Sequence, residues 1–503
     1  MCKKLLVLTL IIASFSCLAH SQAEETQAAS EANRQESIPE LLDKVNSLQK
    51  QIDDLSKKIG DGSLTSTIPS ENESMGNGAT FPRFPMIEHR YSIGTTPLGG
   101  GGYFWFGNGD SPFTFAIQNQ FVLDGTFYNQ NMLTNETGFN IPFYRLFGFG
   151  NLTENISYQA GVQSSLGSFN ILDLFMTAKL SDGINLRVGR FLSPFLLEYY
   201  AWSPALEPVL TNSPVGQIAG KRQVGAMLFG DVFNNRLQYQ AGMFNGEEGA
   251  FFSIDNNYSF LGAVTLTPFK NTGFESLSNF GCGFGTSVGN QFYFLNQGDT
   301  DNFINGAGEP TLNYNFVTST GANFFQYAPN VFANGMQTKV APHLFYYGQF
   351  SVTAEWALMS RELANGINQA TSVASGFYVN ASYFLTGEKH FGGNGLQGYS
   401  TVEPISPFQP TEGRYGIGAW EIACQYSNFG ISQNNLQLFS LPGTTPASSV
   451  NQVMVGLNWW PNKFTRVSFD WVYDSFNNPT DLATGTGLLK DFDIYWLRWS
   501  AFF

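Results

Sequence analysis

From about Pro85 onward, apolar and polar side chains alternate with a period of two, in segments of about ten residues. Turns rich in Gly, Asn, Asp and Pro separate the segments. In "FTRVSFDWVYDSF", Val467, Phe469, Trp471 and Tyr473 share one face, while Arg466, Ser468, Asp470 and Asp474 share the other. In "SVTAEWALMSREL", Val352, Ala354, Trp356 and Leu358 oppose Ser351, Thr353, Glu355 and Arg361. "GFYVNASYFLTGE" sets Val379, Ala381, Tyr383 and Leu385 against Asn380, Ser382 and Thr386; "RLQYQAGMFNG" sets Leu237, Tyr239, Ala241 and Met243 against Arg236, Gln238 and Gln240. A β-sandwich also alternates. The size of the apolar set, with Trp and Tyr near segment ends, favours strands that face lipid on one side and water on the other. Roughly 420 residues, at about 26 per strand and connection, predict a transmembrane antiparallel β-barrel of about sixteen strands over 85–503. A barrel of that size encloses an aqueous channel. The final segment, "DFDIYWLRWSAFF", is predicted to close it, with Ala501, Trp499, Leu497 and Tyr495 on the face of Phe503 and Arg498 on the opposite face.

Different patterns precede the barrel. Lys3 and Lys4, then "LLVLTLIIA", then small and polar residues give the order of a secretory signal peptide over 1–21, with cleavage expected after Ser21 or Ala23. A lipoprotein reading would use Cys17, but Ser14 stands where an aliphatic residue is expected. Residues 22–37 have the polar composition of a disordered segment. Within 38–59, Ile38, Leu41, Val45, Leu48, Ile52, Leu55 and Ile59 alternate steps of three and four, the a/d pattern of a periplasmic coiled coil. So short a helix is marginal alone, so the stripe packs either against copies of itself or on its own barrel. Residues 60–84, rich in Gly, Ser, Asn and Pro, read as a flexible linker.

Composition narrows the class. The 503-residue chain is 16% aromatic and 13% charged, about half the charge of an ordinary soluble domain. After the signal, no apolar run approaches the ~20 residues that a spanning helix requires. Few charges, many aromatics and no spanning helix point to a closed barrel, with an exported sandwich as the competitor. Beyond the signal only His89, His343 and His390 remain. There is no HExxH, paired-Cys or GK[ST] motif, so no enzyme, metal site or cofactor is expected. His343 could be half of a Ser/His pair at a barrel wall, but one strand-borne His is more often a girdle or lumen residue. A net charge of −14 without a basic run argues against nucleic acid as a partner. A plugged, energised receptor would need more than a hundred residues of plug ahead of the barrel, which leaves a substrate-specific, siderophore-type passive channel as the receptor-like alternative.

Several stretches, in order, resemble the phosphate-selective porins O and P of Gram-negative outer membranes: "LRVGRFLSPFLLE" (Leu186 to Glu198), "KRQVGAMLFGDVFNNRLQYQAGMFNG" (Lys221 to Gly246), "YFLTGEKH" (Tyr383 to His390), "GIGAWEIACQYSNF" (Gly416 to Phe429) and "VGLNWWPNKFTRVSFDWVYDSF" (Val455 to Phe476). The resemblance implies a sixteen-stranded barrel in outer-membrane lipid, a homotrimer, and a pore narrowed by inward-folded loops. Family members can carry an N-terminal coiled coil, and the terminal aromatic strand, ending in Phe503, resembles the signal by which the barrel assembly machinery recognises outer-membrane barrels. Such pores hold anions with lumenal arginine and lysine, whose charge-assisted hydrogen bonds replace the anion's hydration shell.

Eight cations are candidates for guiding solutes. Arg187, Arg236, Arg361, Arg466 and Arg498 share strand faces with polar neighbours, and so should point into the lumen. Lys221 and Arg222 stand where the family pattern keeps a basic residue. An early strand of the family carries paired arginines, whereas "IPFYRLFGFG" offers only Arg145. Alternatively, some of these cations steady the wall by pairing with Glu355, Asp470 or Asp474. After residue 84 there are 17 Lys plus Arg against 28 Asp plus Glu, a balance of −11 that weighs against anion selectivity. The expected function is passive diffusion of small hydrophilic solutes, anionic ones such as phosphate by resemblance. A structural role, with the coiled coil as a tether or brace of the envelope, is the alternative.

Overall fold

A computed structural model describes residues 88–93, 102–107 and 112–503, the last with breaks at 130–136, 166–167, 201–206, 247–252, 254, 296–314, 391–398, 400–401, 411–412 and 482–486. The expected signal peptide (1–21), disordered segment (22–37), coiled coil (38–59) and linker (60–84) lie outside the described residues. Among the described residues, nineteen strands form one antiparallel sheet, of which Glu88–Ile93, Gly102–Gly107 and Gly138–Asn140 are short flanking pieces. The other sixteen close a ring. They are β1 (Thr114–Tyr128), β2 (Tyr144–Asn151), β3 (Ile156–Ser165), β4 (Ser168–Ser181), β5 (Ile184–Leu192), β6 (Arg222–Val232), β7 (Leu237–Phe244), β8 (Ser259–Leu266), β9 (Phe280–Phe294), β10 (Phe332–Tyr346), β11 (Phe350–Ala364), β12 (Gln369–Phe384), β13 (Ala419–Ile431), β14 (Ser449–Asn462), β15 (Thr465–Asp481) and β16 (Leu488–Phe502).

Each strand pairs with its neighbour in sequence, and β16 returns to β1 in a register running from Ile494 opposite Tyr128 to Phe502 opposite Gln120. Closure leaves no lipid-facing edge whose N–H and C=O groups would lack partners. Phe503 completes the seam: its N–H donates to the Asn119 carbonyl at 3.1 Å, and its own carbonyl accepts from Asn119 N at 2.6 Å. The two-residue period decides the faces. Phe469, Tyr495, Leu497 and Trp499 are exposed on the outside, while Arg466, Ser468, Asp470, Asp474, Arg498 and Ser500 are buried on the inside.

Burial of so many polar inward groups shows that the lumen is filled along part of its wall. On β10–β16, inward side chains from Lys339 to Arg498 are almost wholly covered, whereas on β3–β5 Gln159, Thr177 and Arg187 keep partial exposure. Among the described residues, covering comes from parts of three connections: 193–200 and 207–221 between β5 and β6, 315–331 ahead of β10, and 385–390, 399 and 402–410 between β12 and β13. The first two contribute Phe195, Leu196, Val209, Val215, Ile218, Phe316, Phe324 and Tyr327 to an internal apolar cluster that the inward faces of the strands complete.

Candidate functional site

The described parts of the β5–β6 connection, 193–200 and 207–221, fold into the lumen as a constriction segment. It bends inward at Leu196, whose φ of +66° is left-handed. It then makes one helical turn at Leu197–Tyr200 and a 3₁₀ turn at Pro214–Ile218. A backbone inside a barrel exchanges water for whatever the wall offers, and its N–H and C=O groups must find partners there. Charged wall residues supply them. Glu355 on β11 accepts from Leu197 N at 2.7 Å and Glu198 N at 3.1 Å. Asp470 on β15 accepts from Leu210 N at 2.8 Å. Donors complete the set: Arg466 Nη1 to the Glu207 carbonyl at 2.5 Å, Asn458 Nδ2 to the Pro208 carbonyl at 2.7 Å, Arg498 Nη1 to the Leu210 carbonyl at 2.9 Å and Lys339 Nζ to the Ile218 carbonyl at 3.0 Å. Hydrogen bonds to charged groups contribute about 1.5–3 kcal/mol each, so the set fixes the segment firmly against β10–β16.

Room for this arrangement is built into the wall. Gly456 on β14 lies opposite Asp470, and a Cβ there would stand 2.6 Å from Asp470 Oδ1. Substituting alanine at 456 is expected to push that carboxylate away from Leu210 N and loosen the segment, which single-channel recording would register as more frequent excursions to a larger conductance.

Two further segments pack against the first. Ser319 Oγ donates to Gln452 Oε1 at 2.8 Å, Thr320 Oγ1 to Asp474 Oδ2 at 2.9 Å, and Thr211 Oγ1 to the Ser319 carbonyl at 3.4 Å. At the end of the barrel that carries Phe503, described residues of the β12–β13 connection reach the inner wall, with His390 Nε2 2.7 Å from Glu421 Oε1 and the Tyr399 hydroxyl 3.0 Å from Thr353 Oγ1. Leu197, Phe345, Tyr347, Phe384, Tyr399, Val402, Trp460 and Phe502 form a second buried cluster there.

The eight predicted cations fall into distinct settings. Arg498 makes a bidentate pair with Asp124, Nε to Oδ1 and Nη2 to Oδ2 both at 2.7 Å, directly across the β16–β1 seam. Arg466 lies 5.2 Å over the Trp460 ring and holds the constriction segment. Arg222 pairs with Asp173 at 2.7 Å. Arg145 donates to Gln163 Oε1 at 2.6 Å and sits 4.4 Å over Phe143. With the Gln337 amide oxygen facing it, Arg361 Nε and Nη2 lie 2.6 and 2.5 Å away. Lys221, at φ +49°, ends the segment, and its carbonyl accepts from Ser193 N at 3.0 Å. Arg187 is half-buried, donates to Thr177 Oγ1 at 3.2 Å, and lies 4.2, 5.5 and 4.9 Å over the rings of Phe175, Phe191 and Phe229.

Arg236 departs from its expected strand position. Phe233, Asn234 and Asn235 all take positive φ, so the chain reverses through 233–236 before β7 begins. The Arg236 guanidinium caps the neighbouring turn, donating to the carbonyls of Lys270 at 2.9 Å and Asn271 at 3.2 Å. It therefore braces a turn at the barrel's end instead of lining the strand wall.

Glu198, at the start of the constriction, accepts from Ser213 N at 2.5 Å and Ser213 Oγ at 2.7 Å. Burial pushes its carboxyl from 4.5 up to about 7, against the pull of the Ser213 donors. A carboxyl raised in this way favours the seated segment in its protonated form. Its stabilisation is complete below about pH 4.5 and is lost as pH rises through about 7. Single-channel records are expected to show more large-conductance excursions at about pH 8 than at about pH 5, and Glu198→Gln is expected to flatten that difference.

An apolar exterior, a closed ring and a lumen narrowed by in-folded connections define an outer-membrane channel of the porin class. The family model for phosphate-selective porin O and P matches residues 114–484. The chain belongs to that family, which places it in the Gram-negative outer membrane as a channel for passive diffusion. No curated protein matches it. Among solved structures it is similar to OmpT of Vibrio cholerae folded in vitro (10% identity, TM-score 0.47, 78% of this chain and 98% of that one). It is also similar to the outer membrane channel DcaP of Acinetobacter baumannii (10%, 0.46, 78% and 98%) and to an anion-selective porin from Comamonas acidovorans (10%, 0.44, 78% and 100%).

Proposed function

We propose that this channel passes small hydrophilic solutes without phosphate selectivity, because its lumenal cations brace the constriction instead of presenting themselves to anions. The observation that carries this reading is the strapping of 207–218 by Lys339, Arg466 and Arg498 through the carbonyls of Ile218, Glu207 and Leu210. A guanidinium or ammonium already donating to protein carbonyls has fewer donors left for a passing anion. Solutes run along the β3–β5 side, where Gln159, Thr177 and Arg187 keep partial exposure. Liposome swelling tests this: small neutral sugars and amino acids should enter at similar rates and phosphate no faster, whereas preferential phosphate entry would overturn it.

A second reading, anion preference, is favoured at one place. Arg187 faces the less filled side of the lumen and holds a threonine hydroxyl and three rings. If it guides anions, Arg187→Gln will shift the reversal potential toward cations; an unchanged potential removes it from that role. The homotrimer, recognition of the C-terminal strand by the assembly machinery, and a periplasmic coiled coil at Ile38–Ile59 belong to the same proposal. Deleting Ile38–Ile59 tests the envelope-tether role, and unchanged envelope integrity would count against it.

A further inference from the structure

Part of the β12–β13 connection is held against the outside of the wall. It contains a small hairpin in which Phe408 pairs with Tyr415 and Gln409 with Arg414. Its base is closed by Gly416 N to the Pro407 carbonyl at 3.2 Å and Gly418 N to the Ser406 carbonyl at 2.8 Å. Glu388 Oε1 adds a bond from Ile405 N at 2.9 Å. Trp420 on β13 and Trp459 on β14 alternate with buried inward residues and so face outward. They lie opposite each other across the two strands and stack with ring centroids 5.8 Å apart. Both indole nitrogens donate to the Ile417 carbonyl, at 3.0 and 2.9 Å, and the Phe408 ring lies 5.8 Å from that of Trp459. The hairpin is thereby fixed to the barrel's exterior, yet Ile405 is 71%, Tyr415 75% and Ile417 64% exposed. Large apolar side chains grouped on one surface mark a contact with something other than water.

We propose that this hairpin is a lipid-binding foot, which seats Ile405, Phe408, Tyr415 and Ile417 at the headgroup boundary of the glycerophospholipid leaflet on the periplasmic side. Its surface is continuous with the lipid-facing wall, where Leu385 and Ile422 are exposed beside it. The level is set by a row across four strands: Trp420 lies opposite Trp459, Trp459 opposite Val467, and Val467 opposite Trp499. Tryptophans near strand ends sit at the membrane–water interface, because the indole is apolar over most of its surface and polar at one edge. The hairpin adds an aromatic pair and two aliphatic side chains to that row. The side of the membrane follows from the connections. The end that carries Phe503 also carries the short turns 152–155, 182–183, 233–236 and 463–464, and barrels of this kind keep their short turns in the periplasm. The foot is separate from the lumen and independent of which solute passes.

Fluorescence quenching of the full-length protein in phosphatidylethanolamine–phosphatidylglycerol vesicles tests the proposal. With the four native cysteines replaced by serine, Tyr415→Cys and Ile417→Cys are each labelled with bimane and confirmed as folded by heat-modifiable gel migration. Leu457→Cys, on the outward face of β14, gives the lipid reference. Asp182→Cys, whose native side chain is fully exposed in the β4–β5 turn at the same end, gives the water reference. Phospholipid brominated close to the glycerol should quench the labels at 415 and 417 as strongly as the lipid reference. Iodide on both sides of the membrane should quench them several-fold less than the water reference. The proposal is overturned if both labels respond to iodide as the water reference does and are unaffected by brominated lipid, which would place the hairpin in water. It is equally overturned if neither agent quenches either label, which would mean that protein, a second copy or another segment of the chain, covers this face.

Discussion

Replacing Arg498 by methionine is expected to lower the barrel's unfolding stability by about 3–5 kcal/mol, the range for a buried pair that loses one partner. The wild-type guanidinium is fully buried, grips both oxygens of Asp124 at 2.7 Å, and donates a third bond to the Leu210 carbonyl. The methionine would leave the Asp124 carboxylate in the seam between the last strand and the first without its cation. Urea titration of refolded protein, followed by heat-modifiable gel migration, should show the midpoint falling. Asp124→Leu combined with Arg498→Met should recover much of the loss, because an apolar pair removes the uncompensated charge. An unchanged midpoint in the single variant would mean that the seam does not depend on this pair.

Glu355→Ala is expected to have the largest effect on conduction. Its carboxylate receives two consecutive backbone N–H groups, those of Leu197 and Glu198, where the constriction segment turns inward. Losing both acceptors forfeits about 1.5–3 kcal/mol per bond, enough to shift the seated-to-released ratio by roughly tenfold or more for each. Single-channel histograms should gain a dominant larger-conductance state. Glu355→Gln, which keeps one accepting oxygen, should lie between the variant and the parent. A histogram identical to the parent's would show that the segment is held in place without Glu355.

The wall was largely legible in the sequence, and the contents of the lumen were not. Period-two alternation assigned Val467, Phe469, Trp471 and Tyr473 to the outside and Arg466, Ser468, Asp470 and Asp474 to the inside, as the structure has them. Counting back from Phe503 put Arg498 on the inner face of a closing strand, where it lies. Alternation reports a side chain's direction but carries no information about what fills the space it points into. That the backbone of 207–210 would arrive at Arg466, Asp470 and Arg498 depends on a loop fold with no periodic signature. For the same reason the contacts of Lys339, Asn458 and Glu198 were not legible, although the inward face of Lys339 could have been found by extending the alternation along β10. Arg236 was misplaced for a local reason. "FNNR" carries a turn signal in its paired asparagines, and three successive left-handed residues end the strand before the arginine.

The reversal potential of the unaltered channel in a planar bilayer under a salt gradient tests most directly whether the lumenal cations serve the constriction or the solute. A channel whose arginines and lysine are committed to Asp124, Asp173 and the carbonyls of 207–218 should show a potential near zero that millimolar phosphate does not move. A strongly anion-selective potential, with current blocked by phosphate, would contradict the account.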